Sequence, residues 1–219
     1  MDAADLRTRL LQGIAELGIE LRAAQIDHLL EYLELLVKWN GAYNLTAVRD
    51  PAAMVTRHLL DSLAVAPLLQ GERFIDVGTG AGLPGVPLAI ARPSSCFDLL
   101  DSNGKKTRFL FQVKTALALD TMAVHQARVE SFQPSRPYDA VLSRAFASLG
   151  DMINGCRHLL VPGGRLLAMK GHYPEAELAA LDDSVELLAS YRLEIPGLDE
   201  ERHLLEMALC PHQDPATAH

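Results

Sequence analysis

The segment Phe74–Gly85 constrains the fold of this chain more than any other part of the sequence. Its first four residues, FIDV, favour a β-strand, and they run directly into a glycine-rich turn, GTGAGLPG, which an apolar, helix-like stretch follows. Glycines let such a turn bend sharply and approach a ligand closely, because no Cβ stands in the way. About twenty residues later, the apolar run Cys96–Asp101 ends in a carboxylate, which can accept hydrogen bonds from a ribose diol. The two segments together predict the nucleoside-binding half of an α/β sheet.

Two classes of cofactor are compatible with this loop. The run Gly80–Gly85 formally satisfies the dinucleotide pattern GxGxxG, which suits NAD or FAD but is a weak signal alone. S-adenosylmethionine is the alternative. A carboxylate at Asp76 suits a cationic ligand better than a pyrophosphate, and Pro84 removes a backbone N–H that a pyrophosphate would use. We therefore predict S-adenosylmethionine, with a dinucleotide or an empty glycine loop as the remaining alternatives. The residues predicted to hold the cofactor here are Asp76, Gly78, Gly80 and Gly82.

Composition bounds the class of protein. Of the 219 residues, 49 % are hydrophobic, but no uncharged apolar run reaches the length of about 18 residues that a membrane span needs. The N-terminus lacks the basic segment of a secretory signal. Cys96, Cys156 and Cys210 are odd in number and far apart, so they predict buried free thiols in the cytoplasm rather than disulfides or a metal site.

The net charge of −8 argues against a nucleic-acid partner until its distribution is considered. Nine acidic residues and one basic residue lie between 174 and 201, so the rest of the chain is neutral overall. The range 103–114 contains four basic residues and no acid. A basic face beside a cofactor cleft is therefore compatible with the sequence, although a solvated helix surface explains the same residues equally well.

Alternating strand and helix patterns predict an α/β fold with a doubly wound, mostly parallel sheet of Rossmann-like type. We expect an N-terminal helical extension over residues 1–70, an α/β domain over 71–210 and a tail over 211–219. In the extension, a helix is predicted to end near Asn40–Gly41, and Asp50 is predicted to cap the next one. The predicted strands are 74–77, 96–101, 122–125, 138–143 and 165–170, with a helix at 149–160 and a closing pair of strands at 185–193 and 203–209.

Ligands bind at the carboxyl ends of parallel strands, so the residues that follow each strand form the candidate site. They include Asp101, Val129, Glu130, Arg144, Phe146 and Lys170. Among them, Glu130 and the neighbouring backbone can meet an adenine edge. The histidines are scattered, and their spacing does not match that of metal ligands.

The segment after the fourth predicted strand limits the choice of acceptor. It lacks the Asn/Asp-Pro-Pro-aromatic motif of enzymes that methylate exocyclic base amines, and the chain has no Pro-Cys pair for attack on a pyrimidine. Arg144 and Phe146 instead suit a substrate whose base stacks while a phosphate or a base acceptor meets the guanidinium. No general base is evident, which favours an acceptor with a free lone pair, such as N7 of guanine. A structural ion pair for Arg144 and core packing for Phe146 are the alternatives.

Seven sequence blocks together resemble the bacterial 16S ribosomal RNA guanine-N(7)-methyltransferase family, also called glucose-inhibited division protein B. The resemblance runs from about Leu33 to Leu209, and the joint occurrence of the blocks makes it specific. The blocks are KWNGAYNLTAVRD, RHLLDSL, FIDVGTGAGLPG, LLDSNGKKTRFL, ARVESF, VLSRAFASL and LLAMKG.

The resemblance implies a Rossmann-like S-adenosylmethionine-dependent methyltransferase fold and methylation of one guanine in the decoding-region 530 loop of 16S ribosomal RNA. It implies a cytoplasmic, monomeric enzyme that acts on this RNA or on the small ribosomal subunit, without a metal and without a membrane partner. Lys170 matches a lysine that the family presents to the cleft, so Lys170, Arg144 and Phe146 are expected to position the substrate. The cofactor residues carried over by motif are Gly78, Leu83, Asp101, Val129, Glu130 and Arg144. A small-molecule methyltransferase and a cofactor-binding regulator without catalysis are the alternative functions.

Overall fold

The computed structural model describes residues 3–210, so the predicted tail over 211–219 lies outside the described residues. The helices are α1 (Ala3–Glu16), α2 (Ala23–Tyr43), α3 (Pro51–Met54), α4 (Asp61–Leu63), α5 (Gly85–Ala91), α6 (Gly104–Ala116), α7 (Leu149–Cys156) and α8 (Glu175–Ala179). A π-helical stretch, Val55–Leu60, joins α3 to α4, and short 3₁₀ turns lie at Ala66–Leu68, Val129–Ser131 and Arg157–Leu159. The strands are β1 (Arg73–Val77), β2 (Cys96–Asp101), β3 (Met122–Gln126), β4 (Tyr138–Ser143), β5 (Leu160–Lys170), β6 (Val185–Arg192) and β7 (His203–Leu209).

The seven strands form one sheet in the order β3-β2-β1-β4-β5-β7-β6. β1 to β5 are parallel, whereas β7 runs antiparallel to both β5 and β6. The strand order reverses between β1 and β4, and a sheet of this type binds its ligand in the crevice at such a switch point. The Rossmann-like, mostly parallel sheet predicted from the sequence is thus confirmed.

Helices cover both faces of the sheet. One hydrophobic cluster joins α1, α2, α5 and α6 to the sheet, and a second cluster packs α7 against the other face. The predicted boundary near residue 70 falls just before β1, yet residues on both sides of it share the first cluster. The helical extension therefore packs as part of one core with the α/β domain.

Three local predictions differ from the structure. α2 continues to Tyr43, because the buried Asn40 bonds the backbone of Thr46 and Val48 instead of ending the helix, and Asn44 supplies the left-handed cap. β5 begins at Leu160 rather than at 165, because a register shift opposite β4 lets the strand include the 162–164 turn. Accordingly, α7 ends at Cys156 and a short 3₁₀ turn takes the place of the last predicted helical turn.

Other local expectations have mixed outcomes. The Asp50 carboxylate accepts hydrogen bonds from the N–H groups of Ala52 and Ala53, so the predicted cap is confirmed. The three cysteines are free as expected, but the prediction of burial holds fully only for Cys156, because Cys96 is exposed and Cys210 is partly buried. No helix within residues 3–210 combines the length and apolar character needed to cross a membrane.

Candidate functional site

The loop between β1 and α5 takes its shape from glycines. Gly78, Gly80 and Gly82 all have positive φ values, 69°, 61° and 94°, which side chains disfavour. A Cβ on Gly78 would lie 2.5 Å from the Cβ of Ala145, which follows β4. The absence of a side chain at Gly78 therefore lets the segment after β4 lie directly against the loop.

Asp76 fastens this loop from below. Its side chain is fully buried, and Oδ2 accepts hydrogen bonds from the Thr79 hydroxyl at 2.6 Å and from the Gly85 N–H at 2.9 Å. Burial raises the pKa of Asp76 to about 6, although both donors act in the opposite direction. Because these donors lie at the two ends of the loop, the carboxylate holds its closed shape; direct contact with a cofactor stays a prediction.

The helical extension supports the same loop from the other side. The Tyr32 hydroxyl on α2 is buried and donates a hydrogen bond to the carbonyl oxygen of Ala81 at 2.8 Å. The ring of Tyr32 also lies 6.3 Å from that of Phe109 on α6. Helix α2, which is distant from the loop in sequence, thus holds the backbone of the loop at Ala81.

A cavity of about 300 Å³ opens beside the loop, at the carboxyl ends of β1, β2, β3 and β4. It brings together five of the residues predicted from the sequence, from four different strand ends, and its wall combines carboxylates with apolar side chains. The lining residues are Val77, Gly78, Leu100, Asp101, Ser102, Lys106, Ala127, Arg128, Val129, Glu130, Ala145 and Phe146. We refer to this space as the first cavity.

Asp101 is the best-placed polar group in the first cavity. Its Oδ2 accepts a hydrogen bond from the Gly80 N–H at 2.9 Å, and its Oδ1 accepts one from the Asn103 N–H at 2.8 Å. The Nζ atom of Lys106, in the first turn of α6, lies 3.5 Å from the same Oδ2. The carboxylate is thereby oriented at the tip of β2, at the edge of the cavity.

Other residues predicted to bind the cofactor do not line the first cavity. A Cβ on Gly82 would lie 2.4 Å from Val86 and 2.8 Å from Leu110, so this glycine allows the loop to pack on α5 and α6. Leu83 packs against the main hydrophobic cluster. Gly80 acts through its N–H on Asp101. These residues shape the wall rather than form its surface.

A second cavity, of about 230 Å³, lies at the carboxyl ends of β4 and β5. Arg144 lines it, whereas the next two residues, Ala145 and Phe146, line the first cavity. The segment after β4 therefore separates the two spaces. The lining residues of the second cavity are Asp61, Arg144, Met169, Lys170, Gly171, Leu193, Arg202 and His203.

A buried carboxylate organises the second cavity. Asp61, on α4, is 1 % exposed and lies 3.0 Å from Nη1 of Arg144 and 3.1 Å from Nε of Arg202. Burial raises the pKa of Asp61, while the two guanidinium groups act to lower it. The structural ion pair considered for Arg144 is thus present, and Asp61 links the helical extension to the residues that follow β4 and precede β7.

Lys170 is paired as well. Its Nζ donates to Oε1 and Oε2 of Glu177 at 3.1 and 2.9 Å, and Oε2 also accepts a hydrogen bond from the Leu149 N–H at the start of α7. His203 completes the wall: it is 8 % exposed, and neither of its ring nitrogens has a hydrogen-bond partner within residues 3–210. Within the same range, no group of three or more His, Cys, Asp or Glu side chains is arranged to hold a metal.

Sequence reasoning missed several residues of the two cavities. Lys106 and Arg128 line the first cavity, and a signal was available, because each follows a predicted strand within a few residues. Asp61 and Arg202 lie on elements outside the strand-end rule, and only their shared contacts reveal them. The block RHLLDSL, which contains Asp61, was the one hint in the sequence.

The sequence of this chain is similar to the sequences of one protein family. A family model described as rRNA small subunit methyltransferase G (GidB) matches residues 25–205. The ribosomal RNA small subunit methyltransferase G of Hahella chejuensis is 52% identical over 200 residues, which cover 91% of this chain and 92% of that protein. Its counterpart from Escherichia fergusonii is 54% identical over 192 residues, 88% of this chain and 93% of that protein.

Solved structures support the fold alone. TrmN from Thermus thermophilus superposes with a TM-score of 0.52 at 19% identity, covering 71% of this chain and 53% of that one. The mitomycin 7-O-methyltransferase MmcR gives a TM-score of 0.57 at 17% identity, over 73% of this chain and 56% of that one. Both are distant in sequence, so they are similar in architecture only.

Proposed function

Because the chain belongs to the family of rRNA small subunit methyltransferase G, we propose that it transfers a methyl group from S-adenosylmethionine to N7 of one guanine in the 530 loop of 16S ribosomal RNA. The observation that carries the proposal is the extent of the family match. Residues 25–205 include nearly all of α2, the glycine loop and the lining of both cavities, so the match covers the supporting helix as well as the site.

The first cavity suits the nucleoside part of S-adenosylmethionine. Asp101 presents an oriented carboxylate to a ribose diol, and the apolar side chains of Leu100 and Val129 suit the faces of a purine. Glu130 supplies an acceptor for an adenine amine. When bound, the cofactor supplies an electrophilic methyl group on a positively charged sulfur, so the residues of the chain have only to orient the two reactants.

The second cavity suits the acceptor. Gly78 allows the segment after β4 to lie between the two spaces, and we assign substrate positioning to Arg144, Phe146 and Lys170 around that segment. Asp61 restricts the orientation of Arg144, which leaves part of the guanidinium to face the cavity. In this arrangement, alignment of the acceptor with the methyl group is the main catalytic contribution of the protein.

N7 of guanine requires no base for its methylation, because its lone pair is free at neutral pH. Asp61 is engaged by two guanidinium groups and Asp76 is buried beneath the loop, so neither carboxylate suits proton removal from a substrate. His203 also lines the second cavity; its ring nitrogens have no hydrogen-bond partner within residues 3–210, and Nε2 lies 3.5 Å from Oε2 of Glu201. The single-turnover rate of the wild type should therefore be nearly flat from about pH 6.5 to 8.5, and His203→Gln should retain chemistry.

Methyl transfer from labelled S-adenosylmethionine tests the whole proposal. The acceptors are 16S ribosomal RNA and small subunits from a strain that lacks this gene, and nucleoside analysis identifies the product. We expect labelled 7-methylguanosine in the 530 loop. A methyl group on an exocyclic amine, a rate that rises tenfold per pH unit, or cofactor binding without any transfer to RNA would contradict the proposal.

A further inference from the structure

Three cations and one aromatic ring cross the exposed side of helix α6 in an oblique row. Lys105, Arg108, Phe111 and Lys114 are spaced three residues apart, so each side chain is a neighbour of the next on the helix surface. Lys105, Arg108 and Phe111 are exposed, and Lys114 is half-buried. We call these four residues the α6 stripe.

The cations of the α6 stripe have no counter-ions. Neither Lys105 nor Arg108 nor Lys114 forms an ion pair with any of the described residues, and the range 102–119 contains no acid. Unpaired cations at a surface are available to an anionic partner at no cost in broken ion pairs.

Phe111 makes the stripe more than a charged surface. Its side chain is 51 % exposed, the largest fraction among the exposed large hydrophobic residues in the described part of the chain. The buried side of α6 is formed by other residues, Phe109, Leu110 and Val113, so packing of the helix does not require this ring. An aromatic ring between two cations matches a strand that offers phosphates and unstacked bases in alternation.

The stripe also leads to the site. α6 begins beside the first cavity, and Lys106 in its first turn is part of the cavity wall. Arg128, also exposed and without an ion pair among residues 3–210, lies on the same wall. A chain bound along α6 would therefore reach the mouth of the first cavity, whose wall includes Ala145 and Phe146 of the segment that separates it from the second cavity.

We propose that the α6 stripe binds a single-stranded segment of the substrate RNA, with phosphates on Lys105, Arg108 and Lys114 and one base stacked on Phe111. The inference rests on the proposed function, because it takes ribosomal RNA as the substrate. It adds a docking surface outside both cavities, and it explains how a chain of net charge −8 can bind a polyanion.

The test compares two triple variants with the same change in net charge. One carries Lys105→Gln, Arg108→Gln and Lys114→Gln; the matched control carries Arg136→Gln, Arg157→Gln and Arg192→Gln, which remove exposed cations elsewhere. Affinity for 16S ribosomal RNA and for small subunits is measured at several salt concentrations. We expect the α6 variant to bind RNA at least about tenfold more weakly and to show a salt slope shallower by about 2, since each phosphate contact contributes about 0.7. Equal slopes for the two variants would overturn the proposal.

The ring is tested separately. Phe111→Ala should weaken RNA binding about tenfold with an unchanged salt slope, whereas Leu188→Ala, at a residue 40 % exposed on β6, should have no effect. Equal affinities for these two variants would overturn the stacking contact. Loss of binding to subunits with normal binding to naked RNA would overturn it too, because the occupant would then be a ribosomal protein. Cofactor affinity and methyl transfer by the wild type are measured in parallel, so a failure of the proposed function is seen independently.

Discussion

The cations around the second cavity and the cations of the α6 stripe differ in whether they already have partners. Arg144 and Arg202 share the buried Asp61, and Lys170 is held by both oxygens of Glu177. Lys105, Arg108 and Lys114, by contrast, have no ion pair within residues 3–210. The same residue types therefore occur in two electrostatic settings within one chain.

This difference separates orientation from attraction. A cation in an ion pair has lost its freedom of movement and most of its field, so it suits the precise placement of a reactant. An unpaired surface cation keeps its counter-ion cloud and releases it when a phosphate binds, which makes binding sensitive to salt. We expect the second cavity to determine the rate of reaction and the α6 stripe to determine the affinity for RNA.

Arg144→Ala should have the largest effect. Because this side chain borders the second cavity at the segment that separates the cavities, its loss should lower kcat/KM for methyl transfer by at least about 100-fold. The salt slope of RNA binding should equal that of the wild type, since Arg144 is paired with Asp61. Steady-state kinetics and salt titrations check both. A shallower slope in this variant would remove the distinction between the two regions.

Asp101→Ala should weaken cofactor binding about ten- to a hundredfold, because a charge-assisted pair of hydrogen bonds to the ribose would be lost. Lys106 is the one cation of α6 that is paired, 3.5 Å from this carboxylate. Lys106→Gln should therefore alter cofactor affinity by only about two- to threefold and leave the RNA salt slope unchanged. Calorimetry with S-adenosylmethionine gives both affinities. Unchanged affinity in folded Asp101→Ala would exclude Asp101 from the site.

Asp61→Asn should lower methyl transfer about tenfold, because Arg144 loses the partner that orients it. The free energy of unfolding should change by less than about 1 kcal/mol, since removal of a costly buried charge offsets the lost ion pairs and both arginines can reach water. Urea unfolding measures this term. A much larger loss of stability would mean that Asp61 holds the fold rather than the cavity.

The raised pKa of Asp61 predicts that the stability of the protein depends on pH. Burial raises the pKa of Asp61 above its unfolded value of 3.8, so the native protein retains this proton to higher pH than the unfolded chain does. The stabilising contribution is therefore complete below about pH 4 and is lost as the pH rises through the folded pKa. Asp61→Asn should flatten that part of the stability profile, and an unchanged profile would contradict the assignment.

Lys170→Gln should lower the free energy of unfolding by about 1 kcal/mol, because the pair with Glu177 is only partly buried. Glu177→Gln should cost slightly more, since a neutral amide oxygen then replaces the carboxylate as acceptor of the Leu149 N–H and weakens that hydrogen bond too. Thermal unfolding of the two variants and their double mutant gives the coupling. If Lys170→Gln reduced the salt slope of RNA binding as much as the α6 triple variant does, the second cavity and the α6 stripe would belong to one RNA-binding surface.

Much of the fold could be predicted from the sequence because its signals are local. The glycine turn after β1, the carboxylate that ends β2 and the succession of strands and helices along the chain follow from periodicity and turn residues. The family resemblance of the seven blocks is confirmed. The predicted start of β5 at residue 165 was wrong, because the register shift depends on pairing with β4, which is distant in sequence. The predicted end of α2 near Asn40–Gly41 was wrong for a similar reason, since the side chain of Asn40 forms hydrogen bonds with the backbone of the following loop.

The sequence by itself determined which residues stand at the strand ends, and four of them, Asp101, Val129, Glu130 and Phe146, line one cavity. Only the tertiary structure decided that Arg144 lines the second cavity whereas Phe146 lines the first. It also decided that Asp61 pairs with Arg144 and that Glu177 pairs with Lys170. The physical reason is the distance along the chain over which each kind of interaction acts. Strand and helix periodicity act over a few residues, whereas an ion pair depends on the distance between two side chains, which only the packed chain specifies.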